Sequence, residues 1–198
     1  MHISEGVLSA PVLIGGAGLA VVGTAVGLKS IDYDRIMSVA ILSATFFIAS
    51  LVHVPIGPSS VHLILNGLIG VILGWAAFPS ILVALLLQAI LFQYGGLTTL
   101  GVNTFNMAAP AVVAYYLFRP MLSRGGSRRF AAAFCCGFSA LFLSTVLTAT
   151  SLALSGDVFL SAAKVLFLAH LPVMAIEGVI TAFVYTFLVK VKPEALAA

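Results

Sequence analysis

The sequence predicts an all-α integral membrane protein of seven transmembrane helices, and three observations carry that prediction. Hydrophobic residues make up 62% of the 198 and charged residues only 8%, against roughly 45–50% and about 25% in soluble domains. Eight of the nine basic residues fall within residues 29–35, 119–129 and 190–192, the pattern of loop charges between spans. Between them lie apolar runs near the length of about 20 residues that one crossing requires.

Taken in order, the spans read as about 8–28, 36–54, 61–78, 80–94, 103–118, 130–154 and 160–189, in one domain over residues 1–198. The first could be mistaken for a signal peptide, but its head, MHISEG, has no Lys or Arg, so the N-terminus is expected to be retained. Its small residues Gly16, Ala20, Gly23 and Gly27 recur in steps of four, three and four. Such a stripe lets helices approach closely, within this chain or against another membrane protein. The third and fourth spans meet at Phe78-Pro79-Ser80; as one helix they would reach about 50 Å, against a hydrocarbon core of roughly 30 Å, so two short spans joined at Pro79 fit better. Cys135 and Cys136 sit side by side in the sixth, where they act as small hydrophobes with no partner to bridge.

Seven spans place all three basic clusters on one side of the bilayer, leaving only Lys164 on the other. The positive-inside rule makes that side cytoplasmic, with the N-terminus outside and the C-terminus inside. Residues 1–6, 55–60, 95–103 and 155–157 then share the outer mouth, and these are the polar, Gly-rich and Pro-rich segments. The net charge of +3 records loop charges and does not call for nucleic acid as a partner.

His2 follows the amino terminus directly. A metal held by the Met1 amine, the deprotonated His2 amide and the His2 ring nitrogen nearest the backbone closes a five- and a six-membered ring in one plane. Tetragonal nitrogen ligation of this kind suits Ni(II) or Cu(II) and leaves one corner for another imidazole. VHVPIGPSSVHLILNG offers His53 and His62, and either completes the plane; the alternative for each is a histidine at a membrane interface. In GGLTTLGVNTFNMAAP the glycines permit tight turns. Thr98, Thr99, Asn103 and Asn106 there either orient the imidazoles or simply cap helices, and spacing does not separate the two.

His170 and Glu177 lie seven residues apart on the seventh span, on one face with Pro172 between them. Ionisable groups at membrane depth mark function, so a proton-coupled carrier or membrane-embedded enzyme using this pair is the alternative reading; hydrogen bonding between helices is the structural one. The chain has no GxxxxGK[ST], HExxH or GxSxG and hence no ATP site or catalytic motif of its own.

MHISEG, PIGPSSVHLILNG, GGLTTLGVNTFNM and AHLPVMAIEGVITAF, in this order through essentially the whole chain, resemble the substrate-specific component of energy-coupling factor (ECF) nickel and cobalt transporters, the CbiM/NikM family. The resemblance implies an S-component-like bundle with an extra first helix that carries the N-terminus to the centre of the fold. It implies Ni(2+) or Co(2+) as bound substrate, held by Met1, His2 and His62, the last being the SSxH histidine. Glu5, Ser59, Ser60, Asn66, Thr98, Thr99 and Asn103 are expected to support that site, with His170 and Glu177 in coupling or structure. The implied partners are two cytoplasmic ATPase subunits, a transmembrane coupling component and a small accessory membrane protein. The chain would then be a multi-pass, non-enzymatic transport component of a prokaryotic cytoplasmic membrane, in an ABC-type system of the kind that serves cobalamin biosynthesis. Because ligation needs neutral imidazoles and a deprotonated amide, binding is expected to release protons and to fail below the ordinary histidine pKa of about 6.5.

Overall fold

The computed structural model describes residues 2–51, 53–56, 59–123 and 125–196. Its elements are α1 (Ala10–Lys29), α2 (Ile36–Ala49), a hairpin of β1 (His53–Ile56) and β2 (Ser59–His62), α3 (Asn66–Leu73), α4 (Ala77–Phe92), α5 (Leu100–Leu122), α6 (Ser127–Ala153) and α7 (Leu160–Val191). Among the described residues, four helical stretches, Ala10–Lys29, Asn66–Phe92, Ser127–Ala153 and Asp157–Val191, are long and apolar enough to cross a membrane.

The exterior is apolar as well as the core, unlike that of a soluble protein. Ile14 and Val21 of α1 are 73% and 68% exposed, whereas Asn66, Gln88, His170 and Glu177 have no exposed surface. An apolar exterior suits a hydrocarbon surround, and the polar groups set among the apolar core must find their partners inside the bundle. The α1 stripe faces inward: a Cβ on Gly16 would meet Val102, one on Gly23 would meet Phe78, and one on Gly27 would meet the Trp75 carbonyl. Internal packing, not an external docking face, is therefore what the small residues serve.

The third and fourth expected spans are separate limbs, but they turn at residues 74–76 and not at Pro79. Beside α5, α3 keeps one direction, with Asn66 bonded to the Met107 carbonyl and Gly70 against Ala111. Along α1, α4 runs the opposite way, beginning where Pro79 and Phe78 meet Gly27 and Gly23 and ending beyond Gln88, which is bonded to His2. Gly74 makes the reversal with φ +57°, a conformation that costs glycine little. Pro79 instead occupies the first turn of α4, where its missing N–H removes no helical bond.

Two boundaries are corrected. The second helix stops at Ala49 instead of reaching 54, and residues 59–62 are strand, so the third helix starts at Asn66 and not at 61. Pro55 explains the first difference, since a proline four residues past Leu51 would clash with its carbonyl in a continuing helix. The hairpin pairs His53 with His62 and Pro55 with Ser60.

At one end of the bundle, Glu5 donates its backbone N–H to the Gly95 carbonyl (3.1 Å), Ser9 donates to Ser155 Oγ (3.1 Å), and the His53 and Tyr94 rings meet at 4.3 Å. The opposite end carries the basic loops: Arg35 donates to the Ile72 carbonyl (2.8 Å), Arg129 to that of Leu122 (3.0 Å), and Arg119 covers the Tyr115 ring. One large apolar core fills the middle. A smaller one, built on Ile3, Leu8, Val61, Val102, Leu152 and Leu166, lies under the N-terminal segment.

Candidate metal site

The segment ahead of α1 has no regular secondary structure, so its backbone groups need partners from elsewhere. Asn103, one turn into α5, supplies them: its Oδ1 accepts the Ile3 N–H (3.0 Å) and its Nδ2 donates to the Ile3 carbonyl (3.1 Å). That carbonyl also accepts from Thr99 Oγ1 (2.9 Å). Ile3 itself is fully buried in the smaller core, which contributes roughly 1.5–3 kcal/mol towards docking the segment.

Glu5 forms a second, exposed clasp. Its carboxylate accepts the Thr98 backbone N–H (3.0 Å) and hydroxyl (3.3 Å), and the backbone bond holds its pKa below the usual carboxylate range. Gly96 makes room: it sits at φ +135°, and a Cβ there would lie 2.0 Å from Glu5 Cγ.

These contacts bring His2 over His62. The two rings stack with centroids 4.6 Å apart and an interplanar angle of 28°, and both residues are buried. His62 Nδ1 lies 2.8 Å from the Leu63 carbonyl; because a carbonyl only accepts, Nδ1 carries the proton and the lone pair belongs to Nε2. His2 Nε2 lies 2.8 Å from Gln88 Oε1. Burial lowers the His2 pKa to about 3 and takes His62 well below its ordinary value, so both rings are neutral, the form that binds a metal.

Among the described residues no three His, Cys, Asp or Glu side chains converge on a common point. A site here would need ligands besides the two imidazole side chains. Met1, whose amine is the remaining expected ligand, lies outside the described residues. His53 pairs with His62 in the hairpin register but turns its Nδ1 to the Leu51 carbonyl (3.1 Å) and packs its ring edge on Tyr94.

The supporting residues divide. Thr98, Thr99 and Asn103 hold residues 3 and 5 as described. Ser59 and Ser60 are buried on β2, and Ser59 Oγ has no partner among the described residues. Asn66 points away from the histidines into the core, donating to Ser144 Oγ (2.7 Å) and the Met107 carbonyl (3.1 Å). Asn106 reaches Ser151 (3.1 Å).

Glu177 lies closer to the site than the sequence indicated. Its carboxyl group accepts the backbone N–H groups of Ile64 and Leu65 (2.8 Å), anchoring the link from His62 to α3. Leu65 takes φ +56° there, a conformation that costs a side-chain-bearing residue roughly 1–2 kcal/mol. His170 Nδ1 donates to the Leu166 carbonyl on its own helix (2.8 Å).

Gln88 and Tyr94 are the residues that sequence reasoning missed. A usable signal existed for the first: in ILVALLLQAILF one amide interrupts an apolar run, and a polar side chain at membrane depth calls for a partner. Tyr94, 6.2 Å from His2 between ring centroids, carried no such signal.

The family model described as "Cobalt uptake substrate-specific transmembrane region", CbiM, matches residues 2–195. A Haemophilus influenzae protein named for metal transport is 43% identical over 199 residues, covering 99% of this chain and 97% of the relative. The fused nickel transport protein NikMN of Rhodobacter capsulatus is 32% identical over 222 residues, covering all of this chain and 64% of its own length. A crystal structure of a transition metal transporter superimposes with a TM-score of 0.84 at 32% identity, covering 96% of this chain and 93% of that one. A family match over nearly every residue, with the fold shared as well, establishes that the chain belongs to the CbiM family of cobalt uptake substrate-specific transmembrane regions.

Proposed function

We propose that this chain is the substrate-binding membrane component of an ATP-driven, ECF-type uptake system for nickel or cobalt. It captures the ion in a square plane made by the Met1 amine, the His2 amide and Nδ1, and His62 Nε2. The observation that carries the reading is the stack of two buried, neutral imidazoles beneath a chain end pinned by Asn103, Thr99 and Glu5. Planar nitrogen ligation suits Ni(II), and relatives named for nickel and for cobalt support either ion as cargo.

All seven helices cross a prokaryotic cytoplasmic membrane in this reading, with the histidine end outside and the C-terminus inside. Support comes from the grouping of basic loops at the far end of the bundle, as the positive-inside rule requires. Lacking a phosphate loop, the chain depends for energy on two cytoplasmic ATPase subunits, acting through a transmembrane coupling component and assisted by a small accessory membrane protein. The carrier reading built on His170 and Glu177 gains little, because the Glu177 carboxyl is occupied by two backbone N–H groups.

The test is metal binding to the purified protein by calorimetry and visible absorption, comparing the native N-terminus with one extended by Gly-Ser ahead of Met1. The extension is expected to abolish tight nickel or cobalt binding. Equal binding by both forms would overturn the N-terminal chelate.

A further inference from the structure

We infer that Gln88 is a positioning residue for the metal ligand His2: its side-chain carbonyl holds the proton on Nε2 and leaves Nδ1, the nitrogen nearest the backbone, as the donor atom. This rests on the metal-binding reading above and adds to it the residue that selects the ligating atom.

α2 ends at Ala49, and a helix leaves its last carbonyls without intrahelical partners. Ser50 closes one of them, donating its hydroxyl to the Phe46 carbonyl (2.6 Å). The Phe47 carbonyl accepts from Gln88 Nε2 on α4 (3.0 Å), and the second amide proton goes to Ser50 Oγ. A backbone carbonyl only accepts, so the nitrogen end of the Gln88 amide must face α2 and the oxygen end must face His2. Gln88 is fully buried. Turning the amide over would set carbonyl against carbonyl where no water can mediate.

Oε1 in turn can only accept, so His2 Nε2, 2.8 Å away, must donate. A neutral imidazole carries one N–H, and Nδ1 is therefore the nitrogen with the lone pair. That atom is the one able to close a six-membered ring with the His2 amide nitrogen, which Nε2 is too remote to do. With a donor at position 88 the proton would move to Nδ1 and would have to leave it before the chelate could close. Once metal is bound, the same Nε2–H bond fixes the ring plane and raises the basicity of Nδ1, as outer partners of ligating histidines do.

The experiment compares native protein, Gln88→Leu and Gln88→Glu, each labelled with 15N-histidine. Imidazole nitrogen resonances are recorded without metal, and nickel affinity is then measured. Native protein is expected to show His2 protonated at Nε2 and bare at Nδ1. Gln88→Leu should mix the two tautomers and weaken nickel binding by about 10–100-fold. Gln88→Glu, with a neutral carboxyl group whose O–H donates to the Phe47 carbonyl as the amide does, keeps an acceptor opposite Nε2, so it should retain the native tautomer and most of the affinity, which separates positioning from a misfolded leucine variant. A native His2 protonated at Nδ1, or a Gln88→Leu protein with native resonances and affinity, overturns the inference while leaving the chelate standing. Resonances that respond to Gln88→Leu in a protein that binds neither nickel nor cobalt overturn the metal reading, and the ligand role with it.

Discussion

Replacing Asn103 by leucine, which has the same branching and the same number of side-chain heavy atoms, tests how the N-terminal segment is held. The change removes the acceptor of the Ile3 N–H and one of two donors to the Ile3 carbonyl, while Thr99 keeps the other. Ile3 is fully buried, so its N–H is left without a partner or water, a cost of about 1–3 kcal/mol. That energy falls on the local equilibrium between docked and undocked segment, because the bonds of α5 itself are untouched. A shift of 1–3 kcal/mol corresponds to about 5–150-fold. The reporter is the Glu5 amide, which donates to the Gly95 carbonyl (3.1 Å) and exchanges with solvent only when the segment opens. Its hydrogen-exchange rate in Asn103→Leu should rise about 5–150-fold, with amides in the middle of α6 unchanged, and metal affinity should fall by no more than the same factor. An unchanged Glu5 rate would refute the assignment of Asn103 as the clasp.

Other consequences can be checked separately. Because burial lowers the His2 pKa to about 3 and takes that of His62 well below its usual value, the docked imidazoles should contribute no protons on binding at pH 7, and binding should weaken on acidification through the amine and the amide. Calorimetry at pH 7 in two buffers of different ionisation enthalpy should return close to two protons per ion, about one from the amide and about 0.9 from an amine of pKa near 8; three or more would contradict buried neutral rings. The sign for docking follows: undocked His2 takes up a proton below its ordinary 6.5 and docked His2 does not, so acidification from 6.5 towards 3 should speed Glu5 exchange. Glu177→Leu leaves the Ile64 and Leu65 N–H groups unpaired, at about 1–3 kcal/mol each, and should lower the melting temperature, whereas Glu177→Gln keeps an acceptor and most of the stability. If Glu177→Gln abolished uptake at full stability and metal binding, the proton-carrier reading would regain ground. Gly96→Ala, with its Cβ placed 2.0 Å from Glu5 Cγ, should loosen the same segment and raise Glu5 exchange.

The membrane class, the largely helical build and the grouping of polar loops at one end were legible in the sequence, because each depends on properties summed over many residues. Twenty apolar residues between charged loops leave the backbone little choice in a hydrocarbon surround, and the 3.6-residue repeat puts Gly16, Ala20, Gly23 and Gly27 on one face wherever the helix lies. His2 and His62 were legible as candidates because the chelate chemistry of a chain end constrains which atoms can share a plane.

Tertiary structure decided the rest. A helix ends where its next backbone bond costs more than an alternative, and at residues 50–62 the alternative was a hairpin that pairs His53 with His62. Gly74 and Pro79 both had the chemistry of a turn; Gly74 made it because the tight approach of α1 to Trp75 and Pro79 fixes where α4 begins. Which histidine stacks on His2, why Glu177 anchors the link from His62 to α3, and that Gln88 faces the His2 ring all depend on contacts between residues from 41 to 113 positions apart in the chain. No local pattern encodes such pairings. They exist because a buried polar group must be satisfied by whatever the packing of the whole bundle brings within reach.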